Sequence, residues 1–280
     1  MNAISFDDYC AIDAVNWSSL KHLSPKHGGS PLRYQHALKT ESADTAARAL
    51  GRAAHTLTFE PDRFDLDYAV WTEGDRRGKA WLDFKAANGD RTILKADEAD
   101  TARAIADAVR SSPAVAPYLD GGEYERTVLW RDPTTGLKCK ARLDWINPRR
   151  RALVDLKTTV SIEARRFGLI AARLGYPCQV AHYFEACVNG LGWTPDECVI
   201  VAVESSAPHD VGVFVLDDDA LTYGSEIVAE LLSELAARRK SGRWPGLYRD
   251  EPQRLELPAY LFEDDGDLET FGIYSSGGAK

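Results

Sequence analysis

Ala141-Arg142-Leu143-Asp144-Trp145-Ile146, followed by Ala152-Leu153-Val154-Asp155-Leu156-Lys157-Thr158-Thr159, decides how this chain folds. Both runs read as strands, and the turn between them, Asn147-Pro148 and three arginines, is short enough for antiparallel pairing. Alternation puts Asp155 and Lys157 on one face of their strand and Leu156 on the other. Asp144 falls near the end of the neighbouring strand, so two carboxylates and an ammonium can converge at a sheet end. Carboxylates that close repel unless a cation sits between them. Hard oxygen ligands with open positions suit Mg²⁺, which binds through one or two carboxylates plus a substrate phosphate. The chemistry such a site supports is phosphodiester hydrolysis, with Lys157 orienting the attacking water or steadying charge on the phosphoryl oxygens.

Working outward, Tyr124–Trp130 is a third strand, joined to Leu137–Ile146 by the hairpin turn Asp132-Pro133-Thr134-Thr135-Gly136. Cys198–Glu204 and Val211–Leu216 add two more strands, and Asp67–Trp71 is a possible further one. Short helices are expected after the caps Asn16 and Ser30-Pro31, with longer ones over 44–59, 76–87, 97–110, 161–172, 176–190 and 218–240. In the helix over 44–59, Ala46, Ala47, Leu50, Ala53, Ala54 and Leu57 form one apolar stripe. The order of elements predicts a single α/β domain over 1–280: a helical entry segment at 1–60, a sheet core at 120–217 and a C-terminal arm at 245–280.

A chain of 280 residues with 44% hydrophobic and 28% charged residues can bury a full core. It has no apolar run of the roughly 20 residues a membrane span needs, and its start lacks the pattern of a signal peptide. A cytoplasmic location is the expectation. Five cysteines without a close CxxC pair read as reduced, mostly buried thiols. The net charge is −9, yet residues 131–180 carry eleven basic and four acidic residues, a local +7 that leaves −16 for the remainder. A basic segment inside an acidic protein implies either a local phosphate-binding surface or a solvated charged face.

The residues fall into a pattern that resembles the PD-(D/E)xK nuclease superfamily, in particular its RecB-like and RecE (exonuclease VIII)-like phage recombination branch. The pattern is Gly51-Arg52-Ala53-Ala54-His55, then Asp144, then Asp155-Leu156-Lys157-Thr158, then Gln179-Val180-Ala181-His182-Tyr183, in family order over about 130 residues. Trp17-Ser18-Ser19-Leu20-Lys21 and Ser30-Pro31 also look like the entry segment of phage members. The resemblance implies a restriction-endonuclease-like core: a central mixed sheet flanked by helices, with a helical N-terminal part. It makes Asp144 and Asp155 metal ligands, His55 an additional ligand and Lys157 the catalytic lysine. His55 lies roughly opposite the apolar stripe of its helix, one turn after Gly51, whose missing side chain lets another element approach.

Gln179 and Tyr183 are four apart on one helical face, and the resemblance implies that this face lies beside the active site, where they would hold Lys157 or the DNA strand. Of Glu123 and Glu125, which alternation puts on one face, Glu125 is the favoured additional carboxylate. Arg142, Arg165 and Arg166 are the candidate DNA contacts. The implied cofactor is Mg²⁺, with Mn²⁺ as a substitute; cysteine spacing predicts no iron–sulfur cluster, and no phosphate loop for an ATPase is present. The implied activity is a double-strand-end exonuclease, 5′ to 3′, serving recombination. Its expected partners are duplex DNA ends, a single-strand annealing protein and further copies of itself in a ring. An endonuclease or single-strand nuclease of the same fold is the alternative, and a non-cleaving scaffold the third option, against which the intact Asp144, Asp155 and Lys157 speak.

Overall fold

The computed structural model describes residues 6–40, 45–248, 252 and 254–257. In chain order the elements are α1 (Phe6–Ala11), α2 (Trp17–Leu20), α3 (Pro31–Ala37), α4 (Ala46–Phe59), α5 (Phe64–Asp67), β1 (Tyr68–Trp71), α6 (Gly78–Ala87), β2 (Thr92–Lys95), α7 (Ala96–Ser111) and α8 (Ala116–Leu119). There follow β3 (Glu123–Arg131), β4 (Lys138–Asn147), β5 (Ala152–Thr159), α9 (Ala164–Leu174), α10 (Tyr176–Glu185), β6 (Glu197–Glu204), β7 (Val211–Val215) and α11 (Asp218–Ser241). Contacts divide the chain into Met1–Leu247 and Tyr248–Lys280. In the second unit Arg254 pairs with Glu256 at 4.0 Å; the acidic run at Glu263–Asp267 and the Ser-Ser-Gly-Gly end of the expected arm lie outside the described residues.

Strands β3–β7 form one sheet in sequential order, antiparallel except for the parallel pair β5–β6. Both faces are buried. Leu143, Leu153, Cys198, Ile200 and Ala202 pack with residues of α2, α10 and α11 on one side. Val154, Leu156, Val199, Val201 and Val203 pack with residues of α4 and α7 on the other. A mixed sheet between helical layers is the α/β restriction-endonuclease-like core expected above. The strand β2 was not expected: it is four residues long, runs straight into α7 and pairs in parallel with β1 as a separate two-stranded sheet. The apolar stripe of α4 is only partly used, because Ala53 and Ala54 are buried and Leu50 and Leu57 half-buried while Ala46 and Ala47 are exposed.

Local capping follows the sequence. Asn16, Ser30 and Thr45 each accept a backbone N–H with the side chain at the start of α2, α3 and α4. No disulfide joins any of the five cysteines, and all but Cys10 are buried.

The sheet forks at its centre. Strands β4 and β5 pair only over Trp145–Asn147 and Ala152–Val154. One residue beyond the last pair stand Asp144 and Asp155, where the strands part. The edge that β5 leaves on β4 is taken by Val15, whose N–H donates to Lys138 O at 2.9 Å and whose carbonyl accepts from Lys140 N at 2.7 Å. Lys140, only 5% exposed, fastens the same segment. Its Nζ donates to the carbonyls of Tyr9, Cys10 and Ile12 at 2.8, 3.1 and 2.8 Å, satisfying acceptors that the end of α1 leaves open.

On α10, His182 is buried against Trp130, with Nε2 3.1 Å from Lys140 O and no partner for Nδ1. Burial lowers its pKa to about 4. The unfolded chain therefore takes up this proton first as pH falls, so stability drops between about pH 6.5 and 4, by about 3 kcal/mol. His182→Gln, which keeps a donor but does not titrate, should flatten the pH dependence of Tm across that window.

Candidate active site

The fork exposes a place where three layers meet. Leu143 and Ile146 belong to one core and Trp145 to the other, so β4 breaks its alternation at Asp144–Trp145. Opposite this break, Glu125 on β3 has a φ of +50°, in the left-handed region that costs a non-glycine residue of order 1 kcal/mol. The distortion separates the two candidate glutamates. Glu123 points outward to Arg126 at 3.5 Å, and Glu125 turns inward.

Each side chain reaches the fork from its own element. The Asp144 Oδ2 accepts the N–H of Leu156 at 2.9 Å, replacing the backbone partner that β4 withdraws. From α4, His55 spans two carboxylates, with Nδ1 2.9 Å from Glu125 Oε1 and Nε2 2.9 Å from Asp144 Oδ2. The edge contact of Phe59 with the imidazole, centroids 4.8 Å apart, steadies the ring. Gly51, one turn earlier, lets α4 approach β5: a Cβ there would lie 3.3 Å from Thr158 Oγ1. From α10, Gln179 Nε2 donates to Asp155 Oδ1 at 3.2 Å and to Tyr183 Oη at 2.8 Å. Gln179 thus holds Asp155 rather than Lys157.

Lys157 Nζ lies 2.6 Å from Asp155 Oδ2 and 5.1 Å from the centre of the Tyr176 ring. Tyr176, Gln179 and Tyr183 are three and four apart on one helix, so the spacing that exposed the last two also contained the first. Glu60, at the C-terminal cap of α4, had no comparable signal; its Oε2 sits 3.9 Å from Arg142.

The charges are strongly coupled. Burial alone would lower the His55 pKa, but Asp144 and Glu125 outweigh it and raise it to about 10. Burial likewise opposes ionisation of Asp144, yet His55, Lys157 and the Leu156 N–H hold it at about 2. For Asp155, burial and the Asp144 charge prevail over Lys157 and push it up to about 7. One proton on His55 therefore does for Glu125 and Asp144 what any cation between carboxylates does.

The donors fit a divalent metal. Asp155 Oδ2 is buried, and its close partner among the described residues is the Lys157 ammonium at 2.6 Å. Two carboxylates and an imidazole nitrogen converging at one point, with only the Lys157 and His55 cations between them, are a donor set that a divalent cation can take. Among the described residues no three His, Cys, Asp or Glu side chains are already spaced as a cation cage. To join such a cage, His55 Nε2 would exchange its contact with Asp144 for the metal.

The expected cationic surface is partly internal. Arg142 is 11% exposed and engages Glu125 through Nε and Glu60 through Nη2, so it stands behind the site instead of on a DNA-facing surface. Arg150 and Arg151 pair with Glu197 and Asp196 at the start of β6. Arg165 and Arg166, at the start of α9, are exposed. Lys21, after α2, has its pKa lowered by burial and by the charges of Arg48 and Lys157.

Residues 17–248 match a family described as a PDDEXK-like domain of unknown function (DUF3799). No curated protein matches the chain. Among solved structures, it is similar to a protein from Eubacterium rectale named "Putative exonuclease", with 14% identity, a TM-score of 0.64, and coverage of 94% of this chain and 99% of that one. A phage related exonuclease from Haemophilus somnus 129PT also matches, at 14% identity over 82% of this chain and 96% of its own, with a TM-score of 0.35. Among the described residues no helix is long and apolar enough to cross a membrane.

Proposed function

The chain belongs to the PDDEXK-like family DUF3799, and on that premise we propose that it is a Mg²⁺-dependent nuclease that degrades duplex DNA from its ends. The observation that carries this reading is the convergence of the buried Asp155 and Asp144 carboxylates at a fork in the sheet, with His55 on Asp144 Oδ2 and Lys157 on Asp155 Oδ2. Asp144, Asp155 and Nε2 of His55 would hold the cation, which supplies charge to polarise the scissile phosphate and to acidify an attacking water.

The chain's own residues do the rest. Gln179 keeps the Asp155 carboxylate turned into the fork by holding Oδ1. Lys157 carries a fixed positive charge at the place where the phosphoryl oxygens gain negative charge, in a site from which bulk water is largely excluded. Lys21 and Arg48, close to Lys157, and the exposed Arg165 and Arg166 offer cations to the DNA backbone. A cytoplasmic setting, a ring of several copies and a single-strand annealing partner in phage-type recombination complete the reading.

End-labelled linear duplex, with 5′-phosphate or 5′-hydroxyl ends, and covalently closed circles are the discriminating substrates. Linear DNA should be shortened from the 5′ end in Mg²⁺ or Mn²⁺, circles should be spared, and EDTA should stop the reaction. Cleavage of circles at a similar rate would make the protein an endonuclease, and absence of cleavage with intact cation binding would make it a scaffold.

A further inference from the structure

Glu125 and Arg142 form a second layer behind His55. Both oxygens of the Glu125 carboxylate are committed: Oε1 faces His55 Nδ1 at 2.9 Å, and Oε2 receives Arg142 Nε. Arg142 is in turn approached by Glu60 and by the Phe6 ring, 5.7 Å away, so that its head group is enclosed. The imidazole has two nitrogens, and the one that accepts a metal is set by the hydrogen bond the other makes. Here Nδ1 is taken and Nε2 is aimed at Asp144. The left-handed backbone at Glu125 is what brings its carboxylate to Nδ1, and Arg142 is the contact that keeps it there.

We propose that Glu125 and Arg142 are positioning residues for the cation site: Glu125 fixes the ring and tautomer of His55 so that Nε2 faces the metal, and Arg142 fixes Glu125. This rests on the nuclease reading above. It takes Glu125 out of the metal's own ligand set and Arg142 out of the DNA contacts.

The test is Mn²⁺ binding to the metal-free full-length protein by calorimetry, alongside thermal melting to verify the fold of each variant. Glu125→Ala should weaken Mn²⁺ binding 10- to 100-fold, the range for losing an outer-layer partner of a ligating histidine. Glu125→Gln, whose amide oxygen can still accept from Nδ1 but whose NH2 cannot accept from Arg142, should lose about as much as Arg142→Ala and less than Glu125→Ala. Arg142→Ala should cost about tenfold, and the double variant should be no weaker than Glu125→Ala alone, because the arginine acts through the glutamate. Two results would overturn the proposal. One is Mn²⁺ affinity unchanged in Arg142→Ala while metal-free duplex binding falls with a shallower salt dependence, the mark of a direct phosphate contact. The other is a loss in Glu125→Gln as complete as in Asp144→Ala, the mark of a direct ligand. Failure of the unaltered protein to bind Mn²⁺ would instead sink the nuclease reading itself.

Discussion

Asp155→Asn is expected to lower the rate of duplex cleavage by about 10³-fold or more while the protein stays folded. The substitution is nearly isosteric, and the Asn carbonyl oxygen can still accept the Gln179 amide that now reaches Oδ1. What disappears is the ionisable Oδ2, the buried oxygen that faces the Lys157 ammonium at 2.6 Å. A neutral amide at that point removes a ligand and its charge together, and losses of 10²- to 10³-fold follow even from deleting a single uncharged stabilising donor in an active site. Initial rates on end-labelled linear DNA, measured across a Mg²⁺ titration, distinguish weaker cation binding from slower turnover. A variant retaining a tenth of the original rate at saturating Mg²⁺ would remove Asp155 from the chemistry.

A large loss of stability is expected at Gly224, on α11. A Cβ at this position would stand 2.3 Å from the carbonyl oxygen of Pro177 and 2.6 Å from its carbon, both in the backbone of α10. Neither atom belongs to a side chain that could swing aside, so Gly224→Ala must push the two helices apart. Overpacking of this kind costs about 2 kcal/mol, or about 4–8 °C in Tm for a domain of this size. Because α10 also carries Gln179 and Tyr183, cleavage should slow as well, whereas an alanine at the exposed, unobstructed Gly168 should alter neither quantity. Melting curves of the two variants side by side make the comparison.

Much of this architecture is legible in the sequence because it rests on local rules. The alternation of Val154, Asp155, Leu156 and Lys157 survives intact, and Asp155 and Lys157 do share a face. The side-chain caps at Asn16 and Ser30 each begin a helix. Pairing of Gln179 with Tyr183 follows from helical spacing alone. Features that depend on contacts between distant segments are not readable in this way. No local pattern announces that Glu125 leaves regular strand geometry, so alternation groups it with Glu123 although the two point apart. The positive charge of residues 131–180 suggests one surface, yet Lys140 spends its charge on the carbonyls of Tyr9, Cys10 and Ile12, and Arg142 spends its own on Glu125. Both look like surface cations until the partners that enclose them are in view.

The bridge between Val15 and Cys139 has a consequence for the order in which the molecule assembles. Its two halves are separated by more than a hundred residues, and contacts of such sequence separation carry a large entropic cost before they bring any reward. During synthesis the N-terminal segment emerges first and must wait for β4 before it can dock. A chain whose hairpin has formed but whose beginning is still adrift already owns Asp144 and Asp155, but β5 is then at liberty to zip along the whole of β4 and shut the gap between them. The opening at Asp144 and Asp155 is in that sense a property of the finished fold, complete only when the segment around Val15 has docked on β4.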